Sequence, residues 1–181
     1  MAHRLLATVA AAAAAAPIPT PIGFGPRYRL DPASPAVARA APVGRFACSA
    51  GAVARERAHV ELFANRLVLL VPAGIGLAPP LVRAGAFVTG GRCSYAVRTT
   101  QPTGVVEFDA AAQPTVGDLF RIWGQPLSAR GLAGFHGAVA AWVGGRRWRG
   151  DPGAIPLRRH AEIVLEVGGF VPPHTFFLFG P

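Results

Sequence analysis

The sequence predicts a small, β-rich α+β domain with one short helix, and three stretches support this prediction. Residues 59–65, "HVELFAN", alternate between apolar and polar side chains, which is the period of a half-buried strand. Residues 114–124, "PTVGDLFRIWG", have the spacing of an amphipathic helix. Residues 137–150, "GAVAAWVGGRRWRG", are typical of two strands joined by a glycine turn. Strands therefore outnumber helices in the predicted fold.

The first predicted strand presents two chemically different faces. Val60, Leu62 and Ala64 share one face, and the other face carries His59, Glu61, Phe63 and Asn65. Asn65-Arg66 lies where a hairpin turn is expected, before the apolar run 67–71. Arginine is an unfavourable second residue for such a turn, whereas asparagine tolerates positive φ.

The predicted helix has a start signal and a stop signal. Thr115 can cap it, and Asp118 stands at the third helical position, as in a capping box. Gly124 followed by Pro126 predicts its end. A short strand is expected just before it, at 104–108.

The closing strand is predicted at 160–169, with Ile163, Leu165 and Val167 on its buried face. The apolar, proline-interrupted end, "FVPPHTFFLFGP", is expected to lie across the domain as an ordered strap. The order of two strands, a helix and two strands fits a β-grasp-like arrangement, in which a mixed sheet wraps one helix.

The composition favours one packed domain over a disordered polymer. The 181 residues are 51% hydrophobic and 15% charged, which is sufficient for a core. The net charge is +9, and all 18 basic residues are arginine. A solvated basic face explains that charge most simply, because net charge informs solubility and association more than fold.

Three segments are expected along the chain. Residues 1–16 have a positive start and an apolar run too short to span a bilayer, which predicts a signal peptide or a short N-terminal anchor. Residues 17–44 are rich in proline and alanine and predict a linker, and residues 45–181 predict the globular domain. The chain is therefore expected to be exported: secreted, periplasmic or associated with the cell envelope. No further transmembrane helix is expected.

Two cysteines, Cys48 and Cys93, are present. In an exported protein this even count favours a disulfide, with two buried free thiols as the alternative. If the thiol of Cys93 were free, it could pair with His59 as a nucleophile and base. A disulfide would consume that thiol, and no third orienting group is evident, so this pair is disfavoured.

Several motifs resemble one bacterial family. The pieces are "VPAGIG", "CSYAVRTTQPTGVVEFD", "TVGDLFRIWGQPLS" and "AWVGGRRWRGDPGAIPLRRHAEIVLEVG". With the segment from Cys48 to residue 65 they resemble a group of uncharacterised exported or membrane-anchored bacterial proteins. The family pattern has a cysteine, a His-x-His-x-His strand, a PAGIG loop, a Cys-x-x-Trp-x-His-Thr-His-Asp segment, an Ile-Ile-His-x-Glu strand and an LGxFFxIWG helix. The resemblance implies an architecture more than an activity.

This chain departs from the family at the histidines. Arg55 and Arg57 replace two of the first strand, and only His59 remains. Residues 98–101 read Arg-Thr-Thr-Gln where the family has His-Thr-His-Asp, and Glu107 replaces the later histidine. Because imidazoles two apart on a strand can share one metal ion, the resemblance implies a metal site whose ligands are largely lost here.

The sequence therefore favours an exported, non-enzymatic binding or interaction domain with a degenerate metal-type site and no cofactor. Its partner is unknown, an envelope component or another protein, and nucleic acid is not expected. The loops at 72–80 and 98–104 are the expected recognition surface, because binding residues concentrate on loops.

Two alternative functions remain open. The first is metal binding through an altered ligand set, namely His59, Glu61, Glu107 and Asp109. The second is binding to an anionic envelope surface through an arginine-rich hairpin. The residues of that surface are Arg146, Arg147, Trp148, Arg149, Arg158 and Arg159.

Overall fold

A computed structural model of the chain describes residues 34–51 and 56–180. The described residues form two α-helices, α1 and α2, and fourteen strands, β1 to β14, most of them short. The helices are α1, Pro35–Ala38, and α2, Val116–Trp123. The strands in chain order are Glu56–Ala64, Leu67–Leu69, Leu77–Ala78, Val82–Ala84, Phe87–Gly90, Cys93–Ser94, Val97–Arg98, Val105–Phe108, Leu127–Ser128, Gly131–Leu132, Phe135–His136, Val139–Val143, Arg146–Trp148 and Glu162–Val167. The predicted class, a small β-rich α+β fold, is confirmed.

The main sheet has seven strands, and its centre is made by the first and last strands of the described chain. The path runs β13-β12-β14-β1-β8-β7, and β2 also pairs with β1. Strands β1 and β14 run parallel, whereas β12 is antiparallel to β14 and β8 is antiparallel to β1. Adjacent parallel first and last strands give the mixed sheet that the sequence predicted. This pairing places residue 59 directly beside residue 162.

One face of the sheet packs against helix α2 and forms the main core. Val60 and Leu62 of β1 and Ile163 and Leu165 of β14 are buried there, as their alternation predicted. The helix begins at a complete capping box formed by Thr115 and Asp118 and ends at Gly124 in the left-handed conformation. Its core-facing side chains are Val116, Leu119, Phe120, Ile122 and Trp123.

Both predicted hairpins are present. Asn65 and Arg66 have φ values of 53° and 67°, and this pair of positive φ angles joins β1 to β2. The turn accommodates Arg66 in spite of the preference against it, because the pairing of β1 with β2 fixes the register. Gly144 and Gly145 make the corresponding turn between β12 and β13, with φ values of 55° and 73°.

Residues 170–180, which we call the strap, lie along the central strands β1 and β14 on the opposite face of the sheet. The strap contains no strand or helix and is held along its length by side-chain contacts. The backbone N–H of Val171 donates to Glu166 Oε1 at 3.3 Å near one end of the strap. Arg57 donates to the carbonyl oxygen of Gly180 at 2.9 Å near the other end. The predicted strap is therefore confirmed.

The folded domain starts before residue 45, where the linker was expected to end. Ser34 caps α1, Val37 is fully buried in the main core, and Val43 pairs with Phe46. Residues 34–44 thus belong to the domain because their valines bury apolar surface. The predicted signal segment 1–16 and residues 17–33 of the linker lie outside the described residues.

The predicted disulfide is present. Cys48 and Cys93 are bonded, with their Cα atoms 5.6 Å apart. The bond ties the N-terminal segment of the domain to β6, whose residue Ser94 also pairs with Ser49. The hydroxyl of Tyr95, next in the chain, donates to the carbonyl oxygen of Ala41. This part of the chain is therefore fastened both covalently and by hydrogen bonds.

Candidate metal site beneath the strap

The candidate site lies at the middle of the sheet, on the face that the strap covers. His59 on β1 and Glu162 on β14 are direct neighbours in the parallel register. Both are buried, with side-chain exposures of 7% and 1%. The site therefore rests on the two central strands of the sheet, which is the rigid setting that a binding constellation requires.

Both ring nitrogens of His59 have oxygen partners. Nε2 is 2.8 Å from the carbonyl oxygen of Thr103, and Nδ1 is 2.8 Å from Glu162 Oε2. A carbonyl oxygen can only accept a hydrogen bond, so Nε2 carries a proton and donates it. Nδ1 and Glu162 then share a single proton between them. Nδ1 is consequently the nitrogen that faces the acidic side of the site.

Gly104 makes this arrangement possible. Its φ is +80°, and a Cβ there would lie 2.6 Å from the carbonyl oxygen of Val60 and 3.0 Å from His59 Nε2. The backbone N–H of Val60 donates to the carbonyl oxygen of Gly104 at 2.9 Å. A residue without a side chain is therefore needed for the chain at 103–104 to pass close to the Nε2 edge of the imidazole.

Glu61 supplies a third donor on the same face of β1. One ligand atom from each of His59, Glu61 and Glu162 can be chosen so that all lie within 4.8 Å of one another. Glu61 also accepts from His174 of the strap, whose Nδ1 is 2.9 Å from Oε1 and 2.8 Å from Oε2. The three donors thus come from β1 and β14, and the strap contacts two of them, His59 and Glu61.

Glu162 has the least complete hydrogen bonding of the three residues. Burial raises the pKa of Glu162, and the hydrogen bond and charge of His59 oppose that rise. Its second oxygen, Oε1, is buried and has no hydrogen-bond partner among the described residues. Since an unsatisfied buried carboxylate oxygen is costly, this oxygen is available to a cation.

The donor set predicted for an altered metal site is only half assembled. His59 and Glu61 are together, but Glu107 instead accepts from Arg98 at 2.8 Å and from Thr100 at 2.6 Å. Asp109 caps the 3₁₀ turn Ala110–Ala112 by accepting from the backbone N–H at its second position. The strand ends before Asp109, so the carboxylates of Glu107 and Asp109 do not lie side by side on one face of a strand.

The predicted arginine surface is exposed but is not one continuous cluster of free charges. Arg147 lies over the Trp142 ring at 4.7 Å, and Arg159 is 3.5 Å from a carboxylate oxygen of Glu56. The half-buried indole of Trp148 donates to a backbone carbonyl oxygen three residues on. All five arginines of the set, Arg146, Arg147, Arg149, Arg158 and Arg159, are solvent-exposed.

The loops expected to form a recognition surface are largely interior. Residues 73–78 are buried, and a Cβ at Gly76 would lie 2.0 Å from the carbonyl oxygen of Val97. Thr99 is fully buried; its hydroxyl donates to the carbonyl oxygen of Pro72 and accepts from the N–H of Ile75. The glycines therefore serve close packing between the two loops, and the recognition prediction is wrong for 73–78.

Cys93 forms the disulfide, so its thiol is not free to act as a nucleophile with His59.

Two residues of the site, Glu162 and His174, were not among the predicted ligands. The available signal was the presence of two glutamates, at 162 and 166, within an otherwise apolar strand. The closeness of Glu162 to His59 depends on strand pairing across more than a hundred residues, which no local pattern reveals.

Among the described residues, no helix has the length and apolar character needed to cross a bilayer. Comparison of the chain with family models, with curated proteins and with solved structures finds no match. The resemblance to the bacterial family accordingly stays a prediction.

Proposed function

We propose that this protein is an exported binding domain that holds one divalent transition-metal ion, such as Zn²⁺, on His59, Glu61 and Glu162. The observation that carries the proposal is a buried histidine–glutamate pair at the sheet centre with a second carboxylate in reach. This ligand set keeps two members of the altered set that the sequence suggested, and it replaces Glu107 and Asp109 with Glu162.

The charge balance of the site favours a dication. His59 and Glu162 share one proton, and Glu61 adds a second carboxylate. If a dication displaces the shared proton, the two negative carboxylates neutralise its charge and the imidazole stays neutral. The ion would also satisfy Glu162 Oε1, which the described residues leave without a hydrogen bond.

The donor types favour a first-row ion over calcium. An imidazole with carboxylates suits zinc and its neighbours, whereas calcium takes six to eight oxygen ligands. No thiolate is available from Cys48 or Cys93, which are bonded to each other. The hydrogen bond from the His59 Nε2–H to a backbone carbonyl is the outer contact that metal-binding histidines usually make.

The covering strap favours retention of an ion over turnover of a substrate. The Phe177 ring stacks on His59 with the ring centroids 3.8 Å apart. Three protein ligands would leave a further coordination position on a bound ion, and the strap lies against two of those ligands, His59 and Glu61. The disulfide is compatible with an oxidising, extracytoplasmic compartment, which supports the exported assignment.

Metal analysis of the full-length chain, purified without an affinity tag, tests the proposal. After dialysis against Zn²⁺ and then against metal-free buffer, the protein should retain a stoichiometric amount of zinc. His59→Ala should abolish retention, and His136→Ala, at an exposed histidine of β11, should not change it. Absence of retained zinc, manganese, cobalt or nickel in the wild-type protein would overturn the proposal.

Binding to an anionic envelope surface is the second candidate, favoured by the exposure of the five arginines. It predicts cosedimentation with vesicles that contain phosphatidylglycerol and loss of that cosedimentation as salt is raised. Replacing Arg146, Arg149 and Arg158 together by Gln should weaken binding, because the change removes three positive charges from this surface. Binding that ignores salt, or that survives the triple change, would eliminate this candidate.

A further inference from the structure

The strap reaches two of the three proposed metal ligands. His174 donates through Nδ1 to the carboxylate of Glu61, and Phe177 stacks on the ring of His59 at an interplanar angle of 18°. Farther along the strap, Phe179 stacks on an exposed histidine at position 160, with 4.6 Å between ring centroids. The strap is therefore part of the wall of the site.

Side chains hold the strap, and backbone pairing does not. Among the described residues, no backbone-to-backbone hydrogen bond joins 170–180 to the rest of the domain. In the part of the chain that the structure describes, its fastenings include the aromatic stacks, the guanidinium of Arg57 over the Phe179 ring, and hydrogen bonds in which Glu166, Glu61 and Arg57 each contact one strap residue. A segment held in this way opens at lower free energy than the sheet beneath it.

The strap begins after a glycine pair that reverses the chain. Gly168 has φ +75°, and a Cβ there would lie 2.2 Å from Asn65 Oδ1. A Cβ at Gly169 would lie 2.6 Å from Arg66 Cγ. The reversal is thus fixed against the β1–β2 turn, and it directs the strap back along β1 toward His59.

We propose that His174 is a positioning residue for the metal ion, so that closure of the strap and occupation of the site are coupled. This inference rests on the proposed metal-binding function. Glu61 is partly exposed, with 19% of its side-chain surface accessible, and its carboxylate accepts from His174. A carboxylate has about four lone-pair sites, so one N–H donor leaves capacity for a metal ion.

The coupling follows from thermodynamic linkage. If the closed strap holds Glu61 in the geometry that the ion requires, the ion binds the closed form more tightly than the open form. By reciprocity, the ion stabilises the closed strap by the same factor. Outer contacts of this kind typically change metal affinity by about 10–100-fold.

Zinc titration against a competing chelator tests the inference on the full chain. His174→Ala should weaken zinc binding by about 10–100-fold, because Glu61 loses its donor. His174→Gln should recover much of the affinity, since the side-chain amide can also donate to a carboxylate. His136→Ala serves as the matched control and should bind as the wild type does.

Two results would each overturn the role of His174. One is wild-type affinity in His174→Ala, and the other is an equal loss in His174→Gln and His174→Ala, which would indicate packing alone. A wild-type chain that binds no ion would overturn the proposed function as well. A wild-type chain that binds zinc, combined with either result above, would overturn only the role of His174, so the two failures are distinguishable.

Hydrogen exchange of the strap gives a second readout. Zinc should slow exchange of the Val171 amide, the strap N–H that donates to Glu166, in the wild-type protein and leave it unchanged in Glu162→Gln. Zinc binding without any added protection of the strap would contradict the coupling.

Discussion

Gly104 and His59 show how a single missing side chain shapes the site. The backbone at 103–104 passes the imidazole so closely that Nε2 and the Thr103 carbonyl oxygen are 2.8 Å apart. That contact fixes the tautomer and turns Nδ1 toward Glu162. The chemistry of the histidine is therefore set by a glycine that is distant in the chain.

Gly104→Ala should destabilise the domain by about 2 kcal/mol or more, since a Cβ at positive φ is strained and would contact the Val60 carbonyl oxygen. Gly85→Ala is the matched control: its φ is +59°, but a Cβ added there would have nothing within 4 Å. Gly85→Ala should lower the free energy of unfolding by only about 1 kcal/mol, which is the cost of placing a side chain at positive φ. Urea unfolding of both variants measures the difference, and equal losses would contradict the crowding argument.

The raised pKa of Glu166 predicts that the stability of the domain depends on pH. Burial raises the pKa of Glu166 from 4.5 to about 7, with the Val171 N–H and the charge of Arg147 opposing the rise. The native state therefore binds more protons than the unfolded state between these values, and the free energy of unfolding falls as the pH rises through that window. Its second oxygen, Oε2, is buried without a hydrogen-bond partner among the described residues.

Glu166→Gln should remove this part of the pH dependence, because the amide stays neutral and its oxygen can still accept from Val171. At pH 8 the variant should be more stable than the wild type by on the order of 1 kcal/mol, and near pH 4 the two should be similar. Denaturant unfolding across pH 4–8 checks the difference. Parallel profiles for the two proteins would refute the assignment.

At the residue level, the sequence identifies part of the site and misses the rest for a physical reason. His59 and Glu61 are recognisable because they alternate with buried residues on one strand. Glu162 looks like an ordinary strand residue until β14 is placed beside β1. The resemblance places Glu107 where that bacterial family has a histidine, but in the structure Glu107 pairs with the nearby Arg98.

Helix α2 is the element that the sequence predicts best, because its signals are local. The Thr115 hydroxyl accepts from the N–H of Asp118, and the Asp118 carboxylate accepts from the N–H of Thr115. Arg121 pairs with the same carboxylate at 2.6 Å. These partners lie within two turns of one another, so no tertiary information is required.

Thr115→Ala should lower the free energy of unfolding by about 1 kcal/mol through loss of the cap. Thr115→Ser should retain most of the stability, because it keeps the hydroxyl. Thr89→Ala, at an exposed residue of β5, is a threonine control and should change stability by less than about 0.5 kcal/mol. Thermal unfolding measures all three, and a wild-type melting temperature in Thr115→Ala would contradict the capping argument.

The loops were harder to predict than the helix. Glycine-rich sequences at 72–80 suggested an exposed surface, but the fold uses these glycines for close backbone contact, as at Gly76 and Val97. A glycine pattern alone does not distinguish a mobile loop from a tightly packed one. The strap was recognisable as apolar and extended, but its contacts with Glu61 and His59 depend on the finished sheet.

At the scale of the whole molecule, the parallel pairing of β1 with β14 closes the domain. It joins the first and last described strands, and it brings together the site on one face and the core on the other. Sequence periodicity predicts that both strands exist but not that they are neighbours, because pairing over such a distance leaves no local trace. Strand patterns were therefore enough to predict the fold class, whereas the proposed ligand set could be identified only once the strand order was known.

The disulfide should be a major contribution to the stability of the whole domain. Its two cysteines are 45 residues apart in the chain, and chain entropy gives about 4 kcal/mol for a loop of that size. Replacing both Cys48 and Cys93 by Ser should lower the unfolding free energy by roughly 2–4 kcal/mol. Guanidinium unfolding of the oxidised wild type and the double variant measures it, and coincident curves would show that the bond contributes nothing.

Glu162 is the ligand that sets the proposed metal site apart from the one the sequence suggested, because only the parallel pairing brings it beside His59. The decisive measurement is zinc stoichiometry in Glu162→Gln beside Glu107→Gln, with folding of both checked by circular dichroism. We expect Glu162→Gln to lose the ion while folded and Glu107→Gln to retain it. Retention of zinc by Glu162→Gln, or its loss in Glu107→Gln alone, would contradict the proposed site.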